Sequence, residues 1–195
     1  MTKPDGQEQD QVKLPAFFDE HPTVKAKLEE YLKTVPPEQK KANVEQFKKF
    51  IAGEITWGEI RGITRRMQKE LARVAYLKFQ LKDFNKAESI FKGLAIVDHT
   101  NWYYRAALGA VYQKQGKYDD AIDEYDVAIQ IKENEWSCQV NRGECLMMTK
   151  DFDGARKDFE ALLHKNLPSN NPWLIRARAL IRRLDLISRE DNHDK

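Results

Sequence analysis

"YQKQGKYDDAIDEYDVAI", residues 112–129, predicts the end of one helix, a sharp turn and most of a second helix. Gly116 separates two runs of residues that are compatible with a helix. After this glycine, apolar and aromatic residues recur at the spacing of a buried helical face, at Tyr118, Ala121, Ile122, Tyr125, Ala128 and Ile129. Two helices this short cannot bury both of their faces against each other, so the pair requires further helices.

The same pattern recurs 34 residues upstream and 34 residues downstream, without insertion or deletion. Tyr118, Ala121 and Tyr125 correspond to Phe84, Ala87 and Phe91 on one side and to Phe152, Ala155 and Phe159 on the other. Gly109 likewise corresponds to the small residues Ala75 and Gly143. This period and these residue types resemble the tetratricopeptide repeat, in which small residues let two helices approach and aromatic residues fill the space between units.

The repeat predicts an all-α fold: a superhelical stack of three tetratricopeptide helix pairs with N-terminal helices and a C-terminal capping helix. The three units span 68–101, 102–135 and 136–168, and the first and third carry Lys82 and Lys150 where the middle unit has its turn glycine. Outside the units, we expect an N-terminal helical region in 21–67, the capping helix in 169–189, and disorder in 1–20 and 190–195.

Local signals predict where the flanking helices begin and end. Pro36-Pro37 breaks one helix and begins the next, Gly53 ends that helix, and Thr56 to Glu59 has the pattern of a capping box. In the final helix, an apolar stripe is predicted to cover the open end of the stack, at Trp173, Ala177, Leu180, Leu184 and Ile187.

Composition argues against several classes of protein. The net charge is +2 at pH 7, so no global field directs the chain to nucleic acid or membrane. No run of about 18 apolar residues is present for a transmembrane helix, and the polar N-terminus resembles neither a signal peptide nor a transit peptide. Cys138 and Cys145 lie about two turns apart on one predicted helix, too far for a disulfide. These features predict a cytoplasmic protein.

Catalytic chemistry is poorly represented in the sequence. The histidines are scattered, no cysteine or histidine spacing suits a metal site, and no glycine-rich phosphate loop is present. We therefore expect no enzyme activity, no metal and no cofactor. Cys138 and Cys145 are interpreted as core residues, His99 as a turn residue, and the acidic run 119–126 as a solvated helix face.

Two kinds of function remain open for such a repeat domain. Basic helices can track phosphates or anionic lipids, and arginines recur at Arg65, Arg66, Arg176, Arg178, Arg182, Arg183 and Arg189. An RNA- or membrane-binding scaffold is therefore one alternative. The apolar stripe between the final arginines favours a cap with a solvated face instead, so we expect neither nucleic acid nor membrane as a partner. The second alternative is a general tetratricopeptide adaptor that bridges two protein partners.

Motifs outside the repeat consensus give a more specific resemblance. The loop from Gly53 to Thr56, the pattern of Phe91, Leu94, Asp98 and His99, and "LGAVYQ" at 108–113 are similar to the class II chaperones of bacterial type III secretion. The resemblance covers roughly residues 43–165, and it departs in a longer N-terminal extension and an arginine-rich final helix. It implies a chaperone that holds a hydrophobic translocator protein.

The resemblance also implies self-association. In the family, the region before the repeats contributes to dimers. Here that region has two predicted amphipathic helices, with Leu28, Tyr31 and Leu32 on one and Phe47 and Ile51 on the other. Their apolar faces need a partner, either the first repeat or a second copy of the chain, and the resemblance favours a homodimer formed through the N-terminal helices.

Stacked helix pairs curve, and their first helices line the concave side. Counting consensus positions along these helices predicts a peptide-binding groove lined by Lys69, Ala72, Tyr76, Phe79, Tyr103, Ala106, Ala110, Gln113, Ser137, Val140, Glu144 and Met147. Large apolar residues beside alanines form pockets that suit an extended peptide. In the family, this groove receives a segment of the translocator that carries proline and leucine. Repeat domains that bind the C-terminal carboxylate of a peptide need Lys and Asn at set groove positions. Those positions hold Ala72, Tyr76 and Ala106 here, so we do not expect this binding mode.

Overall fold

The structure, a computed structural model, describes residues 26, 29–30 and 33–193, which divide into a unit ending at Gly62 and a unit beginning at Ile63. In the first unit, helix α1 (Pro37–Ile51) begins at the predicted proline, and Gly53 follows its end with a φ of 74°. A capping box then begins the short helix α2 (Trp57–Ile60), because the Thr56 amide donates to Glu59 Oε2 at 2.7 Å. These three predicted boundaries are confirmed.

Several predictions fall outside the described residues. They include the expected disorder in 1–20, the residues Leu28, Tyr31 and Leu32, and the side chains of Phe47 and Ile51. The predicted dimer contacts in this region therefore stay a prediction.

The second unit consists of helix pairs followed by a long final helix. The helices are α3 (Arg65–Gln80), α4 (Phe84–Val97), α5 (Trp102–Gln115), α6 (Tyr118–Ile131), α7 (Trp136–Met148), α8 (Phe152–Leu163) and α9 (Pro172–His193). Residues 26, 29–30 and 33–193 contain no strand, and the all-α class is confirmed. Helix α3 begins before the predicted start of its unit at 68, because Thr64 caps it, and α9 continues past its predicted end at 189.

The order of packing produces two rows of helices. Each helix from α3 to α9 packs against the next one in sequence, and α7 also contacts α5 and α9. The first helices of the pairs therefore line up beside one another, and α9 continues their row. We call one surface of this row the groove. It is the face of α3, α5, α7 and α9 that is turned away from the second helices of the pairs.

Small residues bring the two helices of a pair together. A Cβ atom on Gly109 of α5 would lie 3.0 Å from the Tyr125 ring of α6. A Cβ atom on Gly143 of α7 would overlap the Phe159 ring of α8, with Cζ only 2.8 Å away. In each of these two pairs, the aromatic ring of the second helix thus packs directly on the small residue of the first helix, as the 34-residue pattern predicted.

The turns inside the three pairs share one backbone conformation. The Asp83, Lys117 and Asp151 amides each donate to a carbonyl five residues earlier, at 2.9, 3.0 and 2.8 Å. This turn needs a left-handed residue, and Gly116 supplies it with a φ of 77°. Lys82 and Lys150 adopt the same conformation, with φ of 60° and 67°, although their Cβ atoms disfavour it.

Helix α9 covers the open end of the last pair. Leu174, Ala177 and Leu184 are buried against a cluster that includes Phe159 and Leu162. The predicted cap residues Trp173, Leu180 and Ile187 are only partly buried, and Leu174 was not among the predicted cap residues. The predictions for Ala177 and Leu184 are therefore confirmed, and the capping face is turned slightly from the predicted stripe so that it includes Leu174.

Candidate peptide-binding groove

An aromatic cavity of about 240 Å³ lies on the groove between α3 and α5. Six predicted groove residues line it: Tyr76, Phe79, Tyr103, Ala106, Ala110 and Ser137. The side chains of Tyr76 and Tyr103 are 49% and 42% exposed, which is unusual for large aromatic groups. The alanines leave open space between these rings. The cavity can therefore accept an apolar side chain from an extended peptide.

Ring contacts hold the walls of the aromatic cavity in place. Tyr103 makes edge-to-face contacts with Phe91 at 6.5 Å and with Trp102 at 6.1 Å between ring centroids. The Lys132 ammonium lies 4.2 Å from the centre of the Trp102 ring. Burial raises the pKa of the Tyr103 hydroxyl, so this group stays protonated at neutral pH. The cavity thus presents fixed apolar walls and an uncharged hydroxyl.

A second, larger cavity of about 560 Å³ lies farther along the groove between α5, α7 and α9. The predicted groove residues Gln113, Glu144 and Met147 line it. So do Leu180, Arg183 and Ile187 of α9, which were not predicted to belong to the groove. The sequence predicts Leu180 and Ile187 as part of the apolar stripe of the final helix, but only as residues that cap the stack.

A polar network fixes two of the predicted groove residues. Gln113 accepts a hydrogen bond from the Tyr125 hydroxyl at 3.0 Å and donates to Glu144 at 3.3 Å. Arg176 of α9 then binds both carboxylate oxygens of Glu144 at 2.7 Å. The charge of Glu144 is therefore already matched within the protein.

Two of the predicted groove residues are buried. Val140 belongs to the core cluster beneath α9, with no exposed surface, so its prediction as a groove residue is wrong. The reason is that α7, the first helix of the third pair, lies next to α9, and α9 packs over this position. Ala72 is 8% exposed and packs in the core of the first pairs. Lys69 is exposed on α3.

The acidic run 119–126 is not simply a solvated face. Glu124 pairs with Arg105 at 3.1 Å, and Asp126 pairs with Arg142. The Nε of Arg142 also donates to Asp158 at 2.8 Å. Only the earlier acids of the run, such as Asp119, are exposed as expected. Ion pairs across helices therefore connect α6 to its neighbours.

The described residues offer no catalytic arrangement. Cys138 and Cys145 are buried and free, as expected for core residues, and burial raises the pKa of their thiols to about 11 and about 12. Both thiols thus stay protonated and unreactive at neutral pH. Within residues 26, 29–30 and 33–193, no cluster of His, Cys, Asp or Glu has the geometry to hold a metal ion. In the same part of the chain, no helix is both long enough and apolar enough to span a bilayer.

Comparison with known proteins confirms the resemblance found in the sequence. The tetratricopeptide repeat family matches residues 107–172. Chaperone protein SicA of Salmonella typhimurium is 28% identical over 126 residues, which cover 65% of this chain and 74% of SicA. SicA is named a chaperone, in agreement with a non-enzymatic family.

Solved structures share the fold. A T3SS complex from Aeromonas hydrophila superposes with a TM-score of 0.69 at 20% identity, covering 74% of this chain and 97% of the other. PcrH of Pseudomonas aeruginosa, in complex with the chaperone-binding region of PopD, superposes with a TM-score of 0.61 at 25% identity. That match covers 65% of this chain and 97% of PcrH.

Proposed function

We propose that this chain, a tetratricopeptide-repeat protein of the class II chaperone family of type III secretion, holds an extended apolar segment of a translocator-like client in its groove. The observation that carries the proposal is the half-exposed pair Tyr76 and Tyr103, which line one cavity beside Ala106 and Ala110. Exposed aromatic surface of this kind marks a site of protein interaction. PcrH provides a parallel, since its structure contains the chaperone-binding region of PopD.

The binding mode follows from the chemistry of the walls. Tyrosine and phenylalanine lose little side-chain entropy on binding and offer large apolar faces, so they are efficient anchors. An extended peptide inserts side chains at intervals along such a surface and leaves its own backbone accessible to water. The client's hydrophobic segment is thereby shielded from aggregation until it is released. This role is non-catalytic, and we place it in the cytoplasm, where a client is held before export.

Client capture by the double variant Tyr76→Glu/Tyr103→Glu tests this function. The matched control is Ile96→Glu/Ile131→Glu, which places the same charges at exposed apolar positions of α4 and α6. Each tagged chain is purified from its native cell, and the co-purifying client is identified and quantified. We expect the groove variant to lose the client while its circular dichroism stays helical, and the control to retain it. Full capture by a folded groove variant would refute the proposal.

We further propose that the protein forms a homodimer through the region before the repeats. A parallel is SycD, the type III secretion translocator chaperone of Yersinia enterocolitica, one structure of which is an alternative dimer. Closed two-fold dimers are the commonest oligomers of soluble proteins. Light scattering should give a dimer for the full chain and a folded monomer for a chain shortened to begin at Thr56. A full-length chain that is monomeric at micromolar concentration would refute the dimer.

A further inference from the structure

We propose that the larger cavity, between α5, α7 and α9, is a second subsite that takes an acidic side chain of the client flanked by apolar ones. This inference rests on the proposed function, because it assumes that a peptide lies in the groove. The cavity continues the row of first helices, so a peptide anchored between α3 and α5 is directed towards it.

The charge on this cavity is positive. Lys114, Lys150 and Arg183 line it, and all three side chains are exposed. Among the described residues, none of these cations has a carboxylate within ion-pair distance. The acid on the cavity wall, Glu144, is bound on both oxygens by Arg176. Three unmatched cations therefore surround the space, and a carboxylate is the group that complements them.

The walls between these cations are apolar and adaptable. Met147, Met148, Leu180 and Ile187 line the same cavity, together with the rings of Tyr118 and Phe152 at the starts of α6 and α8. Methionine side chains are flexible and polarizable, so they adjust to partners of different shape. A surface that tracks a nucleic-acid backbone needs a continuous row of cations with open rings on which bases stack, and both rings here are only partly exposed. The mixture found here, with cations at the rim and methionine, aliphatic and partly buried aromatic side chains between them, fits an acidic residue that has apolar neighbours.

The distance between the two cavities sets the spacing of the client's anchors. On α5, the aromatic cavity is centred near Ala106 and the larger cavity begins at Gln113. Seven helical residues span about 10 Å, and an extended peptide covers this distance in about three residues. This is the distance from the centre of the first cavity to the near edge of the second, so the acidic residue should lie three or more positions from the apolar anchor of the client.

Selection from a random 12-residue peptide display library tests this spacing. The immobilised full chain is the bait, and bound peptides are sequenced. We expect Asp or Glu to be enriched three or more positions from an apolar residue. Peptides with an apolar anchor but no acidic preference would overturn the subsite and leave the proposed function standing. If no peptide is selected, or if selected peptides still bind the folded Tyr76→Glu/Tyr103→Glu variant, the proposed function itself fails and the subsite fails with it.

Calorimetry with one selected peptide then assigns the charge preference to residues. Its Asp→Asn form should bind the unmodified protein roughly fivefold more weakly, as expected for partly exposed ion pairs. In Lys114→Glu/Arg183→Glu this difference should vanish or reverse. The control Arg178→Glu/Arg182→Glu changes two exposed arginines of α9, the helix that carries Arg183. This control should keep the difference between the Asp and Asn peptides. An equal Asp/Asn difference in both double variants would overturn the assignment. A different result would also overturn it: salt-sensitive binding of polyuridylic acid that is abolished in Lys114→Glu/Arg183→Glu, together with no preference for the Asp form of the peptide over the Asn form.

Discussion

The Phe159 ring occupies the space that a side chain at Gly143 would need, with its Cζ atom 2.8 Å from the position of a Cβ. Phe159 is fully buried, so the large shift that would relieve this overlap must displace the side chains packed around the ring. Gly143→Ala should therefore destabilise the protein by about 1–3 kcal/mol, despite the better helix propensity of alanine. Urea unfolding followed by circular dichroism measures this change.

Gly109→Ala is the matched control for that variant. Its Cβ would lie 3.0 Å from the Tyr125 ring, so a small shift of the ring relieves the contact. The gain in helix propensity, about 1 kcal/mol, should then offset most of the strain. Equal stability of the two variants would show that the approach of α7 to α8 is not as close as the structure indicates.

Lys82 stands in a left-handed turn that glycine occupies in the middle pair. Its φ of 60° matches that of Gly116 at 77°. A residue with a Cβ atom is strained in this conformation, so Lys82→Gly should stabilise the protein by about 0.5 kcal/mol. The reciprocal variant Gly116→Lys should destabilise it by about 1 kcal/mol. Melting temperatures that move in the opposite directions would contradict this account of the turns.

Glu88 joins the first helix pair to the second. Its carboxylate accepts hydrogen bonds from Lys92 at 2.6 Å, from Gln115 at 2.9 Å and from Lys117 at 3.3 Å. Chiefly because of the bond from Lys92, the pKa of Glu88 falls from 4.5 to about 2. A lowered pKa in the folded state stabilises the protein above pH 4.5, and this contribution is lost as the pH falls towards 2.

The variant Glu88→Gln should therefore be less stable than the unmodified protein at pH 7, by roughly 1 kcal/mol after solvent screening. The difference should shrink as the pH is lowered from 4.5 to 2. Chemical unfolding at a series of pH values measures it. A difference that is constant with pH would mean that the charge of Glu88 does not contribute.

The sequence predicted the repeat well because its determinants are local or strictly periodic. Gly116, the capping box at Thr56 and the seat of Tyr125 on Gly109 all depend on residue types at fixed spacing. The groove residues Tyr76 and Tyr103 followed from the same register.

Most of what the sequence did not predict depends on the helix that ends the stack. Val140 occupies a groove position by register, yet α9 packs over it. Leu180, Arg183 and Ile187 belong to α9 and line the larger cavity, although repeat consensus does not extend to that helix. The bonds of Arg176 to Glu144 and of Arg105 to Glu124 join residues far apart in sequence, so no local pattern reveals them.

Site-specific photo-crosslinking tests most directly whether the client lies in the groove. A photoreactive amino acid is introduced in place of Tyr103, on the groove, or of Gln130, on the exposed surface of α6, in cells that also express the co-purifying client. The proposed function predicts a crosslink to the client from position 103 and none above background from position 130. Equal crosslinking from both positions, or none from position 103 while the complex stays intact, would contradict it.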